Sequence, residues 1–238
     1  MFRTIVWFIY FFGFLLFSLP TLYKLKKIDS KLSIDDQDKI IHELPKQWAE
    51  TLVKLTGSKV VVTGLENIPN GPVLFVSNHQ GNFDIPVILG FINKPVGFIS
   101  KVEVKKIPIV PKWMEAMNCI FIDRNNRRQA IQSIKDGANI LREGHSLVIF
   151  PEGTRSKGGA MKPFQTGGLR MAADAGVPIV PISINGSHLI MENGKKFFNP
   201  ASVKVKVLQP VLPDSYENVK HLAIDLHDKI SEQVNPQT

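Results

Sequence analysis

A histidine and an aspartate with four residues between them, His79 and Asp84, could act together as a general base. The apolar residues 72–77 predict a buried strand just before them. Asp84 is a candidate N-cap for a helix that has Pro86 in its first turn. A turn at the end of a strand would bring the imidazole and the carboxylate together, which fixes the tautomer of the histidine and raises its basicity. A helix cap beside a surface histidine is the alternative interpretation of the pair taken alone.

Polar residues also follow three other predicted strands, at the point where each strand ends. The carboxyl ends of parallel strands share one rim of an α/β sheet, and ligands bind at that rim. Each loop alone could be a solvated turn, so the evidence for a site is that four such loops share the rim. The three further loops contain Asp123 and Arg124, then the run of Glu152, Gly153, Thr154 and Arg155, and then residues 185–188.

Two arginines in these loops, Arg124 and Arg155, predict a phosphate site. A guanidinium group can make two parallel hydrogen bonds to a phosphate, and Gly153 would let a backbone N–H approach the same anion. Glu152 and Thr154 add a carboxylate and a hydroxyl on either side of the glycine. Either arginine alone would be interpreted as a surface ion pair, worth about 0–1 kcal/mol. The prediction therefore depends on the rim that they share with the histidine–aspartate pair.

Strands alternate with helices along residues 58–238, which predicts an α/β domain with a mixed, mostly parallel sheet flanked by helices. The strand at 146–150 shows no alternation and is expected to be buried on both faces. The strand at 203–207 alternates and is expected near an edge. Further strands are predicted at 59–62, 72–77, 119–122 and 178–184, and helices after Asp84, at 127–143, at 167–175 and, as a C-terminal amphipathic helix, from about Asp214.

Residues 1–57 are predicted to form an N-terminal two-helix membrane module. Residues 5–22 are almost wholly apolar, and at about 1.5 Å per residue they span roughly 27 Å, at the short end for a hydrocarbon core of about 30 Å. A cleaved signal peptide is the rival interpretation, but no small-x-small cleavage site follows. Residues 33–55 carry an apolar stripe at helical spacing, which either docks on the α/β domain or lies on the bilayer surface.

Basic residues after the first apolar segment predict the orientation of the module. They outweigh the single arginine before it, so the following domain is expected on the cytoplasmic side. Whether the segment spans the bilayer or lies in one leaflet stays open. The residues are Lys24, Lys26, Lys27 and Lys31, against Arg3.

The 238 residues carry 29 Lys+Arg against 21 Asp+Glu, a net charge of +8. This balance favours anionic partners, namely a phosphorylated substrate, anionic lipid or nucleic acid. Nucleic acid is the weakest of these, because the sequence lacks an RNP motif, zinc-finger spacing and a basic run interleaved with aromatic residues. The single cysteine, Cys119, excludes an internal disulfide or a cysteine-based metal cluster, and no third ligand is evident for a metal at His79 and Asp84.

Four blocks of the sequence, in order and with fitting spacing, resemble those of the glycerolipid acyltransferases, and of bacterial 1-acylglycerol-3-phosphate acyltransferases in particular. The likeness covers about residues 60–210 and is specific, because four ordered blocks rarely arise by chance. One departure is Gln165, where many members have a lysine, which leaves Lys162 as the candidate for a charge at that place. The blocks are residues 78–84 with the HX4D motif, 121–124, 150–156 and 177–182.

The resemblance implies transfer of a fatty acyl chain from a thioester to the 2-hydroxyl of 1-acylglycerol-3-phosphate (lysophosphatidic acid), giving phosphatidic acid. A thioester is already activated, so no metal, cofactor or covalent nucleophile is expected, only a base, a phosphate clamp and donors for the oxyanion. In this reading His79 is the base and Asp84 orients it. The predicted substrate-binding residues are Arg124, Arg155 and Lys101 at the phosphate, Glu152 at the glycerol hydroxyl, Gly153 as an oxyanion donor, and Thr154.

Several alternatives stay open at this stage. The acyl donor is acyl-CoA or an acyl carrier protein, and the acceptor could instead be glycerol-3-phosphate or another lysolipid. A non-catalytic membrane protein that binds lipid through its basic residues is the alternative from a different class. Resemblance to bacterial members implies contact with membrane lipid at the bacterial inner membrane, with the catalytic domain facing the cytoplasm.

Overall fold

The computed structural model describes residues 2–25, 27–192 and 197–234, so Lys26 of the predicted basic cluster lies outside the described residues. The strands are β1 (Lys59–Thr63), β2 (Leu74–Ser77), β3 (Gly97–Lys101), β4 (Ile120–Ile122), β5 (Leu147–Ile149), β6 (Ile179–Asn185) and β7 (Ser202–Val207). They form one seven-stranded sheet in the order β1-β7-β6-β2-β5-β3-β4. Neighbouring strands are parallel except for β6 and β7. The predicted mixed, mostly parallel sheet is confirmed.

Helices cover both faces of this sheet. They are α1 (Phe2–Phe17), α2 (Leu19–Leu25), α3 (Ile34–Leu55), α4 (Asp84–Phe91), α5 (Val110–Ala116), α6 (Arg127–Arg142), α7 (Thr166–Ala175), α8 (His188–Met191) and α9 (Val219–Val234). Phe75 of β2 belongs to an apolar layer with α1, α3 and α4, whereas its neighbours Leu74 and Val76 belong to a layer with α6, α7 and α9. Burial on both faces explains why β2 and β5 are apolar without alternation.

The N-terminal helices α1 and α2 are attached to the rest of the chain by two tryptophans. Trp7 Nε1 donates to Leu52 O at 2.9 Å, and Trp113 Nε1 donates to Ser18 Oγ at 2.8 Å. The outer side of α1 is apolar and open, with Phe17 87% exposed. No single helix among the described residues is long and apolar enough to cross a membrane, whereas α1 and α2 together, bent by 42°, could do so by length and composition.

Helix α3 packs on the α/β domain. It begins as predicted after Ser33, whose Oγ accepts the Asp36 N–H at 3.1 Å. Ala49, Leu52 and Val53 are buried in the same core as the strands. Of the two predicted alternatives for the apolar stripe, docking on the α/β domain or lying on the bilayer surface, the structure shows docking. The division into residues 1–57 and 58–238 stays a prediction, and this shared core weighs against separating α3 from the sheet.

Strand β3 was not predicted from the sequence. It begins with Gly97, a residue that is rare inside strands. A Cβ atom at that position would lie 2.7 Å from Met117 O, so the close approach of another backbone segment requires glycine there. The strand forms because β5 and β4 supply hydrogen-bonding partners on both sides.

The last helix begins at Val219, five residues later than predicted. Residues Pro213–Ser215 form a short 3-10 turn instead. The Asn218 Oδ1 accepts the N–H groups of Lys220 and His221, at 2.9 and 3.1 Å. Asn218 therefore caps the helix, whereas the sequence pattern predicted only that the helix starts near Asp214.

Candidate active site

His79 and Asp84 meet at the carboxyl end of β2, as predicted. His79 Nδ1 lies 2.6 Å from Asp84 Oδ2, with Asp84 fully buried and 18% of the His79 side chain exposed. An ionised carboxylate can only accept, so Nδ1 carries the proton and Nε2 keeps the lone pair that can take a proton from a substrate. The His79 ring also stacks on Phe150, with 4.2 Å between ring centroids. The imidazole is therefore held in both its tautomer and its plane.

The Asp84 carboxylate is held by donors from two loops. Its Oδ2 also accepts the N–H groups of Gln80 and Gly81, at 2.7 and 2.9 Å, and Ser187 Oγ donates to Oδ1. Asp84 is the first residue of α4, and these bonds point its carboxylate back into the loop. The predicted N-cap role is therefore wrong. Ser187 was not predicted as a partner, although residues 185–188 stood out as a polar loop on the same rim.

Glu152 joins the loop after β5 to the loop that carries His79. Its Oε1 accepts the His79 N–H at 2.7 Å, and its Oε2 accepts the Lys162 N–H at 3.0 Å. The residue is 4% exposed; burial raises the pKa of its carboxyl, and the hydrogen bonds from the two amides oppose that rise. Glu152 therefore positions the backbone of His79, and its bond to a glycerol hydroxyl stays a prediction.

Arg124 extends from the loop after β4 to the loop after β5. Its Nη1 donates to Gly153 O, and burial lowers the pKa of the guanidinium, against an opposing effect of Glu103. Gly153 has a φ of +74°, in the region that favours glycine. Its N–H donates to Phe150 O at 3.1 Å. This bond closes the turn and occupies the Gly153 N–H in this conformation, and its donation to a substrate oxyanion stays a prediction.

Lys101 and Thr154 lie at the same rim, and both are exposed. Lys101 is the last residue of β3 and pairs with Ile122 of β4, two positions before Arg124. The structure thus brings the predicted cations Lys101 and Arg124 to adjacent strand ends. Contact of Lys101, Thr154 or Gly153 with a substrate stays a prediction.

Arg155 lies beside the HX4D loop and forms an ion pair. Its Nη1 donates to Glu192 Oε1 at 2.8 Å, and the same oxygen accepts the Asn82 N–H at 3.1 Å. Both predicted arginines are therefore bonded to loops at this rim. Sequence analysis missed Glu192, because a single glutamate after a short helix gives no signal of a contact with the HX4D loop.

An apolar cavity of about 470 Å³ lies beside this loop, between the sheet and α1, α3, α4 and α5. Asn82 and Phe83 of the HX4D loop form part of its wall, so the cavity extends from the site into the apolar layer. Its volume is in the range of small-molecule sites. The wall is otherwise mostly hydrocarbon and aromatic, including Trp7, Phe11, Trp48, Leu52, Phe98 and Met117.

Cys119 also lines the cavity. Burial raises the pKa of its thiol to about 12, so the sulfur stays protonated and is a poor nucleophile. Among residues 2–25, 27–192 and 197–234, no group of three His, Cys, Asp or Glu side chains could hold a metal ion.

Comparison with known proteins identifies the family of the chain. A family model described as Acyltransferase matches residues 59–185. The chain is 34% identical over 83% of its length to "1-acyl-sn-glycerol-3-phosphate acyltransferase BAT2, chloroplastic" of Brassica napus, and covers 57% of that protein. It is 31% identical over 74% of its length to the 1-acyl-sn-glycerol-3-phosphate acyltransferase of Borreliella burgdorferi, and covers 72% of that protein. The chain thus spans little more than half of the Brassica relative.

A solved structure resembles the whole chain. The crystal structure of the 1-acyl-sn-glycerophosphate (LPA) acyltransferase PlsC from Thermotoga maritima superposes with a TM-score of 0.83 at 28% identity, over 97% of this chain and 94% of the other. The family that the four sequence blocks predicted is confirmed, and the chain belongs to the acyltransferase family.

Proposed function

We propose that the protein transfers a fatty acyl chain from an acyl thioester to the 2-hydroxyl of 1-acylglycerol-3-phosphate, forming phosphatidic acid. The names of its relatives support this acceptor. The observation that carries the proposal is the 2.6 Å contact between His79 and Asp84, because it prepares a base beside an apolar cavity and two arginines.

His79 is the base in this proposal. Nε2 takes the proton of the acceptor hydroxyl as its oxygen attacks the thioester carbonyl, forming a C–O bond and a tetrahedral oxyanion. When the oxyanion collapses, the C–S bond breaks and the imidazolium returns its proton to the leaving sulfur. Asp84 stabilises the imidazolium between these two steps, as a buried carboxylate does in other acyl-transfer sites.

The two ends of the substrates have different partners. The phosphate of the acceptor binds to Arg155 and Arg124, with Lys101 as a third cation, because guanidinium groups match the geometry of phosphate oxygens. A fatty acyl chain occupies the apolar cavity, and each buried methylene adds about 0.8 kcal/mol. Glu152 acts through the backbone of His79 as a positioning residue.

The acyl donor is acyl-CoA or an acyl carrier protein. Both are anionic and suit the net charge of +8. The protein acts at a membrane surface, with the exposed apolar side of α1 in contact with lipid, and with its catalytic domain on the cytoplasmic face of a bacterial inner membrane. The exposed side includes Ile9 and Leu16, at 67% and 61%.

The test is turnover by the protein purified in detergent, with each donor offered against lysophosphatidic acid, glycerol-3-phosphate and a lysophospholipid that carries a larger headgroup. We expect the highest kcat/KM with lysophosphatidic acid. A preference for another acceptor would replace the proposed substrate. Lipid binding without release of thiol from either donor would support the non-catalytic alternative.

A further inference from the structure

Glu192 forms an ion pair with Arg155, whose guanidinium group binds the acceptor phosphate in the proposed reaction. Its Oε1 lies 2.8 Å from Arg155 Nη1, with the Glu192 side chain 10% exposed and that of Arg155 34% exposed. The carboxylate is therefore an internal anion on a cation at the rim of the site. A phosphate oxygen that accepts the same hydrogen of Nη1 must take the place of this carboxylate oxygen.

The carboxylate of Glu192 has a second partner that does not depend on Arg155. The same Oε1 accepts the Asn82 N–H at 3.1 Å. The side chain also packs closely on the HX4D loop, because a Cβ atom at Gly81 would lie 3.0 Å from Glu192 Cγ. When a phosphate takes Arg155, Glu192 keeps this amide and is not left as a buried charge without a hydrogen bond, which would be costly.

We infer that Glu192 competes with the acceptor phosphate for Arg155 and so weakens the binding of substrate and product alike. The inference rests on the proposed function. Lysophosphatidic acid and phosphatidic acid present the same phosphate, and the product adds a second acyl chain that tightens its hold on an apolar site. An exchangeable carboxylate lowers the affinity for both, so that product leaves while acceptor at working concentration still binds.

Glu192→Gln is the variant that isolates this competition, since the amide keeps the shape and an oxygen for the Asn82 N–H but loses the charge. We expect the KM for lysophosphatidic acid and the inhibition constant of phosphatidic acid to fall together, by about three- to tenfold. This range corresponds to interaction strengths between that of an exposed ion pair and that of a charge-assisted hydrogen bond. The KM for the acyl donor should change by less than about twofold. Glu66→Gln, at an exposed glutamate between β1 and β2, is the matched control.

A merely structural role of Glu192 predicts the opposite sign, because a disordered Arg155 would raise the KM for the acceptor. A rise or no change in that KM overturns the inference. Glu192→Asp is the second variant, since it keeps the charge but withdraws it by one methylene, and the KM for the acceptor should fall here too.

Arg155→Gln completes a double-mutant cycle. In that background Glu192→Gln should change the KM for the acceptor by less than about twofold. The same fall in both backgrounds would mean that Glu192 repels phosphate from a distance and does not compete for Arg155, which also overturns the inference. The proposed function is tested separately by turnover of the wild-type protein. The double-mutant cycle is interpreted only after that turnover has been measured.

Discussion

Asp84→Asn removes one charge from the site while keeping its shape. The amide oxygen can replace Oδ2 and accept from His79, Gln80 and Gly81, and the amide NH₂ can replace Oδ1 and donate to the Ser187 hydroxyl, which then serves as acceptor. All four contacts survive with neutral partners. We therefore expect this variant to fold and to keep the tautomer of the histidine, and to differ from the wild type in the stabilisation of the imidazolium.

The size of the effect follows from the geometry. The carboxylate oxygen lies 2.6 Å from His79 Nδ1, which sets the centres of the two charges about 4 Å apart. At an effective dielectric constant of about 20, opposite unit charges at that distance attract by about 4 kcal/mol. With about 1.4 kcal/mol for each factor of ten in rate, the loss of this attraction lowers kcat about a thousandfold.

The assay is release of thiol from the acyl thioester at saturating acceptor, together with a thermal melt of each protein. Asp84→Ala is a poorer test, because it leaves four donors in a buried place without an acceptor, at about 1–3 kcal/mol each, and mixes lost activity with lost stability. A kcat for Asp84→Asn within tenfold of the wild type, at unchanged Tm, would refute the role given to the carboxylate.

Three further predictions concern other parts of the chain. Ser187→Ala removes the donor to Asp84 Oδ1 and should lower kcat by about three- to tenfold, with steady-state kinetics as the check and an unchanged kcat as the contrary result. Met117→Trp narrows the cavity and should shift the preferred acyl donor towards shorter chains. Each methylene that no longer fits should lower kcat/KM about fourfold, which corresponds to about 0.8 kcal/mol of lost burial. An unchanged optimum in a series of donors of different chain length would contradict this prediction. His145 Nδ1 lies 2.8 Å from Asp38 Oδ2, and this hydrogen bond raises the pKa of His145 in the folded state above its ordinary value of 6.5. The ion pair stabilises the folded state fully below pH 6.5, and this stabilisation is lost as the pH rises through the folded-state pKa of His145. The free energy of unfolding in urea should therefore fall more between about pH 5.5 and 8.5 in the wild type than in His145→Gln. Equal losses in the two proteins would contradict this prediction.

Local patterns in the sequence predicted the core of the site. Residues 72–77 and 146–150 are short, mostly apolar runs rich in β-branched and aromatic residues, which favours buried strands, and polar residues follow each run within two positions. Strand ends in a parallel sheet share a rim, so placing His79, Asp84 and Arg124 together required no knowledge of distant contacts. In the structure His79 contacts Asp84 at the end of β2, and Arg124 lies two residues after the end of β4 at the same rim.

Contacts between distant parts of the chain could not be predicted in this way. Ser187 lies 103 positions from Asp84, and Glu192 lies 110 positions from Asn82. A serine and a glutamate are compatible with any solvated loop, so their roles depend on the return of β6 to the side of β2. The amide of Gly153 was assigned to an oxyanion because glycine permits it, whereas the turn after β5 uses that amide internally.

Formation of phosphatidic acid by the purified protein and by His79→Ala, measured side by side with an acyl thioester and lysophosphatidic acid, tests the central claim most directly. We expect the wild type to form product only when the acceptor is present, and the variant to be slower by about a hundredfold or more, as loss of a general base requires. Equal rates in the two proteins would contradict the claim that His79 is the base.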